Sequence, residues 1–150
     1  MIKVKRIDHV AIAVGDRDGE ASRLSDLFGL GTGAREHVAT QQVDVAFLHA
    51  GAVEGTSPAD TAIEVIAPAG ANGNAGLQRF LDKRGPGLHH ICFEVEDLPG
   101  ALASLKAAGV RLIDDTPRPG ARGHMVAFLH PASTGGILFE LCATPHGAPA

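Results

Sequence analysis

The sequence predicts an α+β fold in which two duplicated βαβββ modules form one curved eight-stranded sheet. The pentapeptide VAFLH occurs twice, at Val45–His49 and at Val126–His130, with an offset of 81 positions. The same offset carries the strand-like stretch Ile7–Val14 onto Leu88–Val95. In each half a helix-like segment follows, and then further strand-like segments. These features together indicate an internal duplication, with about 70 residues in each half.

Length and composition favour a single globular domain. The chain has 150 residues, of which 45% are hydrophobic, and a formal net charge of −4. A mildly acidic chain without a basic run argues against nucleic acid or an anionic membrane surface as a partner. We expect a cytoplasmic location, because no apolar run approaches membrane-spanning length and the first strand begins too early to follow a signal peptide. We expect Cys92 and Cys142 to be reduced thiols.

The duplication also sets the domain organisation. We predict module 1 over residues 5–70, a linking helix over 74–85, module 2 over 87–143 and a tail over 144–150. The predicted strands are Lys5–Val14, Thr32–Ala39, Val43–His49, Thr61–Ala67, Gly87–Val95, Arg111–Asp114, His124–His130 and Gly136–Cys142.

Each module contains one predicted helix that begins at an aspartate and stops before a glycine. These helices are Asp16–Phe28 and Asp97–Ala108. In the linking helix, the apolar residues Leu77, Phe80 and Leu81 fall on one face. The last strands of the two modules are offset by only 76 positions, and the difference is assigned to a longer loop, GAVEGTSPAD, in module 1.

Alternation of side chains along the strands separates two faces of the sheet. The face toward the helices is apolar: Val10, Ile12, Val14, Ile63, Val65, Ile91, Phe93, Val95, Phe139 and Leu141. The opposite face carries one polar side chain near the middle of each central strand: His9, Glu64, His90 and Glu140.

The duplication predicts that these four polar residues meet in the hollow of the sheet as two His/Glu pairs. Two imidazoles and two carboxylates form a ligand set for a divalent transition metal such as Co, Mn, Ni, Fe or Zn. A lone strand histidine is more often a hydrogen-bonded core residue, and a lone glutamate more often lies at a sheet edge. The occurrence of all four in register favours the metal site, since unpaired carboxylates in a sheet interior cost free energy. His89 falls on the packing face.

The chain resembles the vicinal oxygen chelate (glyoxalase/dioxygenase) superfamily and, within it, the methylmalonyl-CoA epimerase family. The stretches that carry the resemblance are IDHVAIAV, QQVDVAFL, IEVIAP, GPGLHHICFEVEDL, PRPGARG and FLHPASTGGILFEL, which span nearly the whole chain. The resemblance implies a glyoxalase-like fold around a metal held by His9, Glu64, His90 and Glu140. It also implies a homodimer, an acyl-CoA thioester substrate, and an isomerase that interconverts (2S)- and (2R)-methylmalonyl-CoA in propionate metabolism.

One departure from the family pattern affects the catalytic assignment. Some of these epimerases have a catalytic glutamate where this chain has Val45, which cannot move a proton, and alternation turns Asp44 to the other face. Epimerisation α to a thioester requires removal of a proton from one face and return of a proton to the other, with metal coordination stabilising the enolate. We therefore predict that Glu64 and Glu140 are the two catalytic bases, as in glyoxalase I.

Other activities of the same fold remain open. A glyoxalase-I-like lactoylglutathione lyase would use the same metal and carboxylates on a thiol hemithioacetal. An extradiol dioxygenase typically holds iron with two histidines and one glutamate. A metal-free module that binds a small ligand typically lacks one or more of the ligand residues that this chain keeps.

The repeated VAFLH is predicted to be a structural strand with Phe47 and Phe128 in equivalent places. His49 and His130 are interpreted as strand-end or turn residues. Arg118 and Arg122 lie on the loop TPRPGARG, either within reach of CoA phosphates or in solvent.

Overall fold

The computed structural model describes residues 1–50 and 61–144, and within them the chain forms eight strands and three α-helices. The predicted α+β class is confirmed. The loop predicted at 51–60 and the tail beyond residue 144 lie outside the described residues. The strands are β1 (Val4–Ala13), β2 (Gly31–Val38), β3 (Val43–His49), β4 (Ala62–Pro68), β5 (Gly87–Val95), β6 (Arg118–Pro119), β7 (Met125–Leu129) and β8 (Phe139–Ala143), and the helices are α1 (Arg17–Phe28), α2 (Ala75–Arg84) and α3 (Leu98–Ala107).

The chain divides into two compact units. The first unit is His9–His89, and the second unit combines Met1–Asp8 with His90–Ala150. Strand β1 therefore contributes its last residues to the first unit and its first residues to the second. The hydrogen-bonded order is β2-β3-β4-β1 in the first unit and β1-β5-β8-β7-β6 in the second.

In the first unit, helix α1 packs on one face of the strands. Strands β1 and β4 are parallel with Ala11 opposite Glu64, and β3 is antiparallel to β4 with Phe47 opposite Glu64. The buried core under α1 consists of Val14, Ala21, Ala46, Leu48, Val65 and Ala67. Because alternate residues point to opposite faces, Glu64 and Phe47 lie on the face away from α1.

The second unit repeats this arrangement around α3. Strands β5 and β8 are parallel with Cys92 opposite Glu140, and β7 is antiparallel to β8 with Phe128 opposite Glu140. The buried core under α3 consists of Val95, Leu98, Ala101, Leu102, Ala127, Leu129, Leu141 and Ala143. The apolar face predicted for the helix side is thus confirmed for Val95 and Leu141.

The aspartates predicted at the helix starts act as N-caps. Asp16 accepts a hydrogen bond from the Gly19 N–H at 3.1 Å, and Asp97 accepts one from the Gly100 N–H at 3.0 Å. These bonds satisfy backbone donors that have no partner within the helix. Helix α1 ends at Gly29, whose φ of 66° lies in the left-handed region that favours glycine.

The prediction of a strand at Arg111–Asp114 is wrong. In this segment the N–H groups of Ile113 and Asp114 both donate to the Phe128 carbonyl, while the Phe128 N–H donates to the Asp114 side chain. A side-chain acceptor thus replaces the backbone acceptor of a regular ladder. The sixth strand instead forms at β6, opposite Val126 and Met125.

The eighth strand begins later than predicted, at Phe139 rather than Gly136. Gly135 and Gly136 have φ values of 70° and 86°, which form a turn instead of extended backbone. Among the described residues, none of the helices has the length and apolarity that crossing a membrane requires.

Candidate active site

The first His/Glu pair lies on the face of the first unit away from α1. His9 is 3% exposed and Glu64 is 5% exposed. The His9 Nε2 atom lies 3.6 Å from the Glu64 Oε2 atom. Strand β1 supplies the histidine and its parallel neighbour β4 supplies the glutamate, so the pairing of these strands brings the two side chains together.

The second pair has the same geometry in the second unit. His90 and Glu140 are 3% and 5% exposed, and the His90 Nε2 atom lies 3.6 Å from the Glu140 Oε2 atom. Here β5 supplies the histidine and its parallel neighbour β8 the glutamate. The structure therefore brings each predicted histidine together with the glutamate of its own module. The meeting of all four residues at one ion stays a prediction.

Each pair fits a metal ion. A distance of 3.6 Å between nitrogen and carboxylate oxygen is longer than an ordinary hydrogen bond between these atoms. Two donors bound about 2.1 Å from one ion in tetrahedral geometry lie roughly 3.4 Å apart. Imidazole nitrogen and carboxylate oxygen suit Zn, Mn, Co and Ni alike, so the donors do not select among these metals.

The phenylalanine of each copy of the pentapeptide packs against the histidine of one pair. The Phe47 ring meets the His9 ring edge-on with centroids 5.7 Å apart, and the Phe128 ring meets the His90 ring edge-on at 5.2 Å. The prediction that Phe47 and Phe128 fill equivalent places is confirmed. His130, predicted as a turn residue, accepts the Ala132 N–H through Nδ1 at 3.0 Å.

The face predicted for Val45 and Asp44 agrees with the structure. Val45 is buried, and its register opposite Ile66 puts it on the same face as Phe47. Asp44 lies on the other face, where its carboxylate is 3.0 Å from His37 Nδ1. Val45, the residue before Phe47 on this face of β3, thus has a hydrocarbon side chain that transfers no proton.

Two titratable neighbours of His90 have shifted pKa values. Burial lowers the pKa of His89 to about 4, and its ring packs edge-on against Phe80 at 5.0 Å, as its predicted position on the packing face requires. Burial, followed by the Cys142 thiol and the Glu140 carboxylate, raises the pKa of the Cys92 thiol well above its usual value. Cys92 and Cys142 are both free thiols, as predicted, and both are buried.

Asp8 is a buried charged residue that the sequence did not predict. It is fully buried and accepts a hydrogen bond from Arg6 at 2.8 Å and another from Arg122. Arg122 therefore lies against a buried carboxylate rather than in solvent. Asp8, His124 and Cys142 also bring donor atoms within 4.8 Å of one another. The offset of the duplication places Asp8 on His89, so the repeat gave no signal for it.

Comparison with known proteins gives a family match. The model of the glyoxalase/bleomycin resistance protein/dioxygenase superfamily matches residues 8–128. An uncharacterized protein of Bacillus subtilis, YqjC, is 40% identical over 139 residues, covering 93% of this chain and 92% of that protein. The ethylmalonyl-CoA/methylmalonyl-CoA epimerase of Cereibacter sphaeroides is 38% identical over 140 residues, covering 92% of this chain and 97% of that protein.

A solved structure with a bound CoA derivative is also similar. It is a variant of the methylmalonyl-CoA epimerase from Streptomyces coelicolor in complex with 2-nitronate-propionyl-CoA. The sequence identity is 30%, the TM-score is 0.84, and the match covers 95% of this chain and 99% of that one.

Proposed function

The chain belongs to the glyoxalase/bleomycin resistance protein/dioxygenase superfamily, and we propose that it is a metal-dependent epimerase that interconverts (2S)- and (2R)-methylmalonyl-CoA. The chain is assigned to the enzyme class of its named relatives. These relatives are epimerases, and their alignments cover more than nine-tenths of the chain. The observation that carries the proposal is the twofold occurrence of a buried His/Glu pair with 3.6 Å between donor atoms, each pair backed by the phenylalanine of VAFLH.

We propose that His9, Glu64, His90 and Glu140 together hold one divalent cation, with Co, Mn, Ni and Zn as the candidates. The cation would stabilise the negative charge that develops on substrate oxygens as the α-proton leaves. The burial of both carboxylates supports this assignment, since a carboxylate withdrawn from water needs a compensating positive charge.

The same two glutamates are proposed as the bases. One carboxylate takes the α-proton from one face of the carbon, and the other, in its protonated form, returns a proton to the opposite face. The reaction has no net change in protons, because the two carboxylates take up one proton and give one back in each turnover. The hydrocarbon side chain of Val45 and the orientation of Asp44 toward His37 support the choice of Glu64 and Glu140.

Proton exchange in deuterium oxide tests this assignment. With one base assigned to each face, we expect Glu64→Gln to lose deuterium exchange from one epimer of methylmalonyl-CoA and Glu140→Gln to lose it from the other. We expect either variant to epimerise about 100-fold more slowly or worse, the usual contribution of a general base. The exposed Glu96→Gln is the matched control. Unchanged epimerisation by a Gln variant with a full complement of metal would contradict the two-base assignment.

The rival lyase activity is tested with the same preparation. A hemithioacetal of glutathione and methylglyoxal is offered alongside methylmalonyl-CoA at equal metal loading. The proposal predicts turnover of the CoA thioester only. Faster turnover of the hemithioacetal would assign the chain to the glyoxalase I type instead.

We also propose a homodimer and a cytoplasmic location. Both are expectations from the family resemblance and from the sequence. Light scattering of the purified chain should give a mass near twice 15.4 kDa. A mass of one chain would contradict the dimer.

A further inference from the structure

Strand β6 puts a positive charge on the same face of the second unit as Glu140. Arg118 lies directly opposite Val126 in the antiparallel β6/β7 pair, and Val126 lies opposite Cys142 in β8. Directly opposite residues of antiparallel strands project to the same side. Since Cys142 and Glu140 are two positions apart in β8, the Arg118 side chain projects to the face that carries Glu140.

The contacts of Arg118 place its guanidinium one aromatic ring away from the His90–Glu140 pair. Its Cζ atom lies 5.8 Å from the centroid of the Phe128 ring, and that ring meets the His90 ring at 5.2 Å. A guanidinium over an aromatic face is attracted by the ring quadrupole. Phe128 is also the residue directly opposite Glu140.

Asp114 orients this guanidinium. The Arg118 Nε atom lies 3.3 Å from Asp114 Oδ1, while Asp114 Oδ2 accepts the Phe128 N–H at 2.9 Å. The Asp114 carboxylate therefore connects Arg118 to β7, the strand that carries Phe128. The Arg118 side chain is 32% exposed, so a ligand can approach it from solvent.

We propose that Arg118 determines substrate specificity by binding the free carboxylate of a dicarboxylic acyl thioester. This inference rests on the proposed function. Planar guanidinium donors match a carboxylate with two parallel hydrogen bonds. In methylmalonyl-CoA the carboxylate is attached directly to the carbon that exchanges its proton, whereas the CoA phosphates lie beyond the whole pantetheine arm. A cation close to the His90–Glu140 pair therefore suits the carboxylate better than the phosphates.

The neighbouring Arg122 is distinguished from Arg118 by its partner. Its guanidinium contacts Asp8, which is fully buried and also binds Arg6. That arrangement compensates a buried charge of the protein itself. The carboxylate-binding role is assigned to Arg118 alone.

The test measures KM and kcat for three variants and two substrates. Arg118→Gln removes the charge, Arg118→Lys restores a charge without the planar fork, and the exposed Arg111→Gln removes a charge from the same module as a matched control. The substrates are methylmalonyl-CoA and methylmalonyl-pantetheine, which has the carboxylate but no phosphate. Propionyl-CoA, which lacks the carboxylate, serves as a competitive inhibitor.

We expect Arg118→Gln to raise KM about 10- to 100-fold for both methylmalonyl thioesters, the usual effect of losing a hydrogen bond to a charged group. Arg118→Lys should recover part of this loss, Arg111→Gln should match the wild type, and the inhibition constant of propionyl-CoA should not change. A rise in KM for the CoA thioester but not for the pantetheine thioester would assign Arg118 to a phosphate and overturn the proposal.

An unchanged KM in Arg118→Gln, with normal wild-type turnover, would overturn the inference and leave the proposed function intact. Absence of turnover in the metal-loaded wild type would overturn both. A thermal unfolding midpoint of Arg118→Gln equal to that of the wild type would exclude a folding defect. If the Gln variant is unstable, Arg118→Lys provides a second variant.

Discussion

The rings of Phe47 and Phe128 each stand nearly perpendicular to the histidine ring of their own unit, at centroid distances of 5.7 and 5.2 Å. Each phenylalanine also lies directly opposite the glutamate of that pair. An edge-on aromatic neighbour limits the rotation of the imidazole, because interiors are close-packed and leave little free volume. The five letters that occur twice in the sequence thus carry a role that was copied with the duplication.

At the residue scale we predict that Phe47→Ala lowers the free energy of unfolding by about 3–5 kcal/mol, the usual cost of removing a buried phenylalanine ring. Phe47 is 1% exposed. Urea denaturation measures the loss. Phe28→Ala is the control, because Phe28 is 71% exposed at the end of α1, and this change should stay within about 0.5 kcal/mol. Equal losses at the two positions would contradict the packing described for Phe47.

The two cysteines give a second prediction at this scale. Cys92 and Cys142 are buried free thiols, and burial raises the pKa of Cys92. The thiolate is the reactive form, so the folded chain should react slowly with a chromogenic disulfide reagent. The unfolded chain should release two equivalents at once, since it contains two cysteines. Immediate release of both equivalents from the folded chain would contradict the burial of these thiols.

At the scale of secondary-structure elements, the duplication preserves the helix starts together with a glycine in each first turn. Asp16 caps α1 through Gly19, and Asp97 caps α3 through Gly100. A Cβ atom added at Gly100 would overlap the Asp97 carboxylate, and one at Gly19 would overlap the Asp16 carboxylate. The glycines therefore accompany the caps.

We predict that the substitutions Asp97→Ala and Gly100→Ala are not additive. Asp97→Ala should cost about 1 kcal/mol by loss of the cap. Gly100→Ala in the wild type should fail to give the gain of about 1 kcal/mol expected from helix propensity, because the new Cβ displaces the cap. In the Asp97→Ala chain the same substitution should stabilise. Urea unfolding of the four chains measures this, and an identical gain in both backgrounds would contradict the account.

At the scale of the whole molecule, the sequence predicted the features that the duplication repeats. The offset of 81 positions relates the two histidines, both capped helices and the equivalent phenylalanines, while the two glutamates are 76 positions apart because the loop in module 1 is longer. Boundaries of β3 and β5 agree with the predicted residues. A repeat is informative because each copy provides an independent test of the face on which a residue lies.

The features that the sequence did not predict depend on contacts between distant residues. The segment 111–114 was interpreted as a strand, but the Asp114 side chain takes the Phe128 N–H that a strand would have paired. The buried Asp8 meets Arg122, which lies 114 positions away. Local alternation cannot reveal either contact, because each depends on which distant side chain arrives at the strand.

Metal-dependent epimerisation is tested by following the conversion of (2S)- to (2R)-methylmalonyl-CoA by the purified chain. The conversion is followed before treatment with a chelator, after treatment, and after cobalt or manganese is added back. We expect turnover to be lost on chelation and restored by the metal. Turnover that persists with the metal fully removed would contradict a metal-dependent reaction. No turnover by the metal-loaded chain would contradict the epimerase itself.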